Sequence, residues 1–181
     1  MTTVSSATSH TKGSKTPGLL STWDAVEEFI FAGAATLTLV SLKTGVRFTY
    51  LVRVKKEDKE KLERDRDAFE GGSGMRASEV VYFVNLLRGP DNTADFAYMG
   101  VLRRSPARYF WTEKSGKVGR ACAAYKALVW FIDQMNGRRD VLGSSLEVWH
   151  EGRCGRCGRK LTVPESIAAG LGPECAGRMA A

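Results

Sequence analysis

Histidine is scarce in this chain: 181 residues contain two, His10 and His150. A hydrolase that relies on histidine as general base has little to work with here. His10 lies in a Ser/Thr-rich stretch and reads as a solvated tail residue. Other chemistries lack their signatures as well. There is no paired-carboxylate motif and no nucleophile elbow, and Gly71-Gly72-Ser73-Gly74 lacks the lysine and context of a phosphate-cradling loop. The most apolar stretch, Phe29 to Val40, is short and interrupted by Gly33, so no membrane-spanning run is expected. A zinc deaminase would need a His-x-Glu segment upstream of Pro-Cys-x-x-Cys, and neither occurs. These absences favour a protein that is not an enzyme.

Cysteine is sparse too, but three of the four are placed to act together. Cys154-Gly155-Arg156-Cys157 has the spacing that lets a tight turn aim two thiolates at one ion, and Gly155 and Gly158 suit that turn. The third sulfur, Cys175, follows Pro173; proline belongs in a first helical turn, so Cys175 is expected at the start of a short C-terminal helix. The pattern points to one structural Zn²⁺ on Cys154, Cys157 and Cys175. His150, Cys122, a carboxylate such as Glu151, or water can supply the fourth ligand, and His150 is favoured because one short bend after Leu146-Glu147-Val148-Trp149 brings its imidazole near. Cys122 reads instead as a small buried residue on a helix face. A disulfide is the rival to zinc, and the absence of a secretory signal argues for a reducing, cytoplasmic setting.

Hydropathy patterning divides the chain. Residues 1–20 carry almost no large apolar side chains and read as a disordered tail. Residues 21–145 form an α+β domain. Trp23 to Ala32 reads as a helix capped by Ser21 or Thr22. Thr36 to Val40 and Val46 to Val54 alternate around Lys43-Thr44-Gly45 as a hairpin, with one apolar face and one that carries arginines. Residues 55–78, dense in mixed charge and ending in glycines, read as a mobile insertion. Val80 to Leu87, Phe96 to Leu102 and Tyr109 to Thr112 extend the sheet to about five antiparallel strands. One amphipathic helix, Arg120 to Asn136, packs on it through Tyr125, Leu128, Val129, Ile132 and Met135. Residues 146–181 form a small treble-clef-like zinc-knuckle module.

The formal charge is +7 and the isoelectric point about 9.4, which suits an acidic partner, either DNA or RNA. Candidate contacts cluster in Arg103, Arg104, Arg108, Lys114 and Lys117 around Trp111, where cations meet phosphates and an exposed ring stacks on bases. Arg153, Arg156, Arg159 and Lys160 around the cysteines form a second group, which contacts phosphate or offsets the thiolate charge. A host-protein partner, with zinc purely structural, is the alternative.

The ending, His150-Glu-Gly-Arg-Cys-Gly-Arg-Cys-Gly-Arg-Lys-Leu-Thr-Val-Pro-Glu-Ser-Ile-Ala-Ala-Gly-Leu-Gly-Pro-Glu-Cys, resembles the small zinc-finger-like module of an uncharacterised family of bacteriophage, prophage and plasmid proteins. Thr38 to Tyr50 and Gly89-Pro90-Asp91-Asn92 are similar to fuller-length members. The resemblance implies zinc on Cys154, Cys157 and Cys175, a mobile-element origin and action in the bacterial cytoplasm. It carries no activity.

Overall fold

Alternating strands that bury every second side chain need a partner layer, and here helices supply it on one face of the sheet. A computed structural model of the chain describes residues 18–55, 58, 80–104, 106–116 and 118–180. The expected tail (all but its last residues), nearly all of the 55–78 insertion, and Lys117 lie outside the described residues.

The described strands are β1 (Leu19–Leu20), β2 (Ala34–Ser41), β3 (Arg47–Val54), β4 (Tyr82–Leu87), β5 (Phe96–Arg103), β6 (Arg108–Phe110) and β7 (Leu146–His150). They form one sheet in the order β1-β7-β2-β3-β4-β5-β6, and every pairing is antiparallel. The expected count of five is therefore corrected to seven. Two residues of β1 are too few to display a period, and β7 reads as a strand whose distant partner no local pattern names. β7 matters most for function. It opens the C-terminal module yet lies between β1 and β2, with Leu37 opposite His150 and Leu39 opposite Val148. The expected boundary at residue 146 thus cuts through the sheet.

Two helices, not one, cover the inner face. In α1 (Trp23–Ile30) the Thr22 side chain accepts a hydrogen bond from the Ala25 amide, Asp24 sits in the first turn, and Val26, Phe29 and Ile30 are buried. In α2 (Ala123–Asn136) Leu128, Phe131, Ile132 and Met135 are buried, whereas Val129 faces solvent, contrary to the face expected for it. The N-cap of α2 is Cys122, whose Sγ accepts from the Tyr125 amide at 3.3 Å; it is a capping group, not a residue of the helix interior. Tyr50 donates to the Ala124 carbonyl at 2.7 Å, pinning α2 to β3. The Arg138 guanidinium pairs with Glu27 and Asp24, tying the end of α2 to α1.

The inner residues Leu37, Leu39, Tyr50, Val52, Val84 and Val148 are buried in one core with both helices. Their neighbours point the other way. Thr38 and Thr49 share a 2.8 Å hydrogen bond there, and Arg53, Phe83, Val101 and Phe110 lie side by side across β3 to β6. No described helix is long and apolar enough to cross a membrane.

Candidate metal centre

After β7 the chain folds back in a tight loop. An isolated bridge pairs Arg153 with Lys160, the Cys154 amide donates to the Arg159 carbonyl at 2.8 Å, and the Gly158 amide donates to the Cys154 carbonyl at 2.9 Å. Gly158 takes φ +74°, a left-handed conformation that glycine adopts without strain, and so lets the turn close. Two short helices follow, α3 (Pro164–Ala169) and α4 (Pro173–Ala180). Pro173 opens α4 and Cys175 lies in its first turn, as the sequence implies.

This folding gathers Cys154, Cys157 and Cys175, with their sulfurs within 4.8 Å of one another. Sulfurs around a tetrahedral zinc lie roughly 3.8 Å apart, from a Zn–S bond of about 2.3 Å, so the cluster needs only slight contraction to fit the ion. All four cysteines of the chain are free thiols. Three sulfurs converging on one point suit a soft or borderline cation better than a pairwise bridge.

The protonation of the cluster also prepares it for a cation. Burial raises the Cys154 thiol, but the amides of Gly172, Cys157 and Arg156 and a hydrogen bond from Cys157 together lower it to about 7. Cys175 moves oppositely, to about 12, through burial and through the neighbouring Cys154 and Cys157 sulfurs. One thiolate forms readily, and the last resists because its charge is added beside the others. A divalent cation removes that repulsion.

Among the described residues the converging ligand atoms are the three sulfurs, and the structure places His150 outside that cluster. Its Nδ1 accepts from the Gly152 amide at 3.0 Å, and its Nε2 meets the Ile167 carbonyl at 2.7 Å, where it must donate. Its ring packs on Phe29 with centroids 5.3 Å apart. The imidazole therefore joins β7 to α3 and α1. We expect His150→Ala to retain its metal on elemental analysis; loss of the metal would return His150 to the ligand set. Burial holds the His150 pKa below its usual 6.5, against the Ile167 hydrogen bond, which raises it. As pH falls, the unfolded chain then takes up this proton first. Stability is full above about 6.5 and declines toward the folded-state value. Denaturant midpoints between pH 7 and pH 5 should fall less steeply in His150→Gln than in the native chain, and parallel profiles would remove this linkage.

A cavity of about 380 Å³ opens beside the three cysteines, lined also by Arg159, Lys160, Glu174 and Arg178. A second, of about 300 Å³, lies on the outer sheet face, where Thr36, Leu51 and Arg53 meet Glu151, Arg153 and Gly158 of the loop.

The residues expected to meet nucleic acid separate into groups. Arg103 and Arg108 pair across β5 and β6 on the outer face. Arg104 turns to the helix side, 3.7 Å from Glu27 and over the Phe31 ring. Trp111 is half-buried: its Nε1 donates to the Val118 carbonyl at 3.1 Å and Arg120 covers its ring at 4.7 Å, so it is not an open stacking platform. Lys114 is exposed on a short 3-10 turn. Arg153 is exposed and donates to the Gly158 carbonyl, and Arg159 and Lys160 are exposed at the cysteine cavity. Arg156 is 7% exposed and already engaged within the protein. Sequence reading did not single out Arg53, which lies on the arginine-bearing face of the β2–β3 hairpin, or Lys55, which it assigned to the insertion.

No curated protein and no solved structure matches the chain. Residues 146–180, from β7 through α4, match the model of a family of unknown function, DUF6011.

Proposed function

We propose that this is a non-enzymatic, zinc-binding accessory protein of a phage or mobile element, acting in the bacterial cytoplasm, whose outer sheet face binds single-stranded DNA or RNA. Zinc is structural in this reading, clamping the C-terminal loop beside that face. One observation carries the nucleic-acid reading: cations and aromatic rings lie together at one end of the outer face, where Arg53, Phe83, Val101 and Phe110 stand in register across β3 to β6. Arg153 and Arg53 line a single cleft. Lys55 Nζ lies 5.8 Å above the Phe83 ring, and Phe83 neighbours Arg53 on β3 and Val101 on β5. Arg103, Arg108 and Phe110, which is 44% exposed, complete the row. From β3 to β6 the row covers about 14 Å at the usual strand spacing. It joins the two basic groups that are far apart in sequence.

Open sheet faces with exposed rings suit unstacked bases, and flanking guanidinium and ammonium groups suit the phosphates between them. Anisotropy of a labelled single-stranded oligonucleotide, titrated at several salt concentrations, tests the reading. The variant Arg53→Gln/Arg103→Gln/Arg108→Gln should lower the slope of log affinity against log salt by about 2. An unchanged slope, or no binding at low salt, sinks it.

One observation favours the alternative, a host-protein partner. An apolar groove of about 370 Å³ runs between the β2–β3 turn and α2, lined by Leu39, Val46, Phe48 and Trp130. Trp130 is 44% exposed and Val46 48% exposed. Binding to host protein that survives high salt and fails in Trp130→Ala would support it.

A further inference from the structure

We infer that the described residues supply three ligands, Cys154, Cys157 and Cys175, to the C-terminal metal, and that the fourth position opens to the adjoining cavity, where a small anion from solution completes it. This rests on the zinc reading above. Among the described residues, each candidate for the fourth place is held elsewhere. Both ring nitrogens of His150 are hydrogen-bonded within the module. Cys122 caps α2 and packs with the main core, whereas Cys154 and Cys175 belong to a separate cluster with Ala32, Leu161 and Leu171. Glu151 lines the cleft on the outer sheet face. Glu174 borders the cysteine cavity, but its carboxylate is not among the converging ligand atoms.

What does adjoin the sulfurs is space of about 380 Å³. A water molecule takes about 30 Å³ of liquid, so this cavity admits a polyatomic ligand. Its charge selects the class. Three thiolates on a divalent ion leave one net negative charge, which by itself would repel an anion. Arg159, Lys160 and Arg178 oppose that charge, with Glu174 the one carboxylate lining the same wall. The balance at the mouth is positive, so a small anion can approach. Three sulfur donors make the ion soft enough to accept a thiolate or azide as readily as an oxygen anion. An ion held by three sulfurs can clamp the loop and still exchange its fourth ligand.

The test replaces zinc with Co²⁺ in the full chain and follows its ligand-field absorption while sodium azide, and separately 2-mercaptoethanol, is added. A saturable spectral change is expected with azide, and the starting spectrum should be the same in His150→Ala, Cys122→Ser and Glu174→Gln. Arg159→Gln/Arg178→Gln should weaken azide binding about tenfold while keeping one metal per chain. A spectrum indifferent to both probes, or one altered by any of the three single substitutions, would mean that a protein group fills the position and would overturn the inference. Failure to bind Co²⁺ or Zn²⁺ at all would instead overturn the metal reading beneath it.

Discussion

Cys154→Ser should strip the metal from the protein and release the loop, α3 and α4 from the sheet, while β2 to β6 stay folded. Cys154 is 1% exposed and sits in a hydrophobic cluster whose only other buried members are Ala32, Leu161 and Leu171. So small a core offsets little of the ordering entropy of the segment that carries it, and in the zinc reading the metal supplies the difference. Structural zinc in small modules contributes about 10–16 kcal/mol, and a serine hydroxyl, poorly ionised and hard, retains little of it. The damage should be local because β7 is anchored independently. It pairs with β2 over Leu146 to His150, and Leu146 and Val148 are buried in the main core. Elemental analysis should give near-zero metal, and hydrogen exchange should lose protection at Leu161 and Ala176, whose amides donate to the Gly152 and Gly172 carbonyls. Full protection of those amides in the metal-free variant would show that packing alone holds the module. A chelator acting on the native protein should reproduce the variant.

The sequence was most readable where one local period decides the structure. Leu37 and Leu39 alternate with Thr36 and Thr38, and both the β2–β3 hairpin and its inner face follow from that alternation. The three sulfurs were readable for a related reason, because Cys154 and Cys157 are fixed by a turn and Cys175 by a proline-led helix. What escaped depends on distant partners. Nothing near Leu146 names Leu39 or Ser41 as the neighbouring strand, and nothing near Leu19 names Trp149. His150 shows the limit of spacing arguments: a histidine four residues before a cysteine suits a ligand, but it equally suits a ring that caps the Gly152 amide and reaches the Ile167 carbonyl. The burial of Arg156 was equally out of reach, since burial is a property of the folded loop and not of its composition. Arg53 and Lys55 gained meaning only when the sheet brought them level with Phe83 and the loop set Arg153 beside them.

The junction that seats the C-terminal module on the sheet is a second sensitive point, and Gly155→Ala is its sharpest probe. The Gly155 amide donates to the Gly170 carbonyl at 2.9 Å, and its own carbonyl accepts from the Ala34 amide at 2.6 Å. One residue thus links the end of α3 to the first residue of β2. The third side of the junction is Phe29, and a Cβ on Gly155 would lie 2.7 Å from its Cδ2 and 3.0 Å from its carbonyl oxygen. Phe29 cannot yield easily: it is 1% exposed, and its ring is held between His150 and Gly170, where a Cβ would meet it at 2.5 Å. The added methyl must therefore move either a core aromatic ring or the loop that carries Cys154. Overpacking of this kind costs about 1–3 kcal/mol, and the backbone contact places Gly155→Ala toward the upper end. Denaturant unfolding should register that loss, with weaker metal retention if the loop is what moves. Phe29→Leu, destabilising alone, should relieve part of the crowding, so the double variant should be less destabilised than the sum of the singles by about 1 kcal/mol. Simple additivity would mean that the ring and the loop do not share this contact.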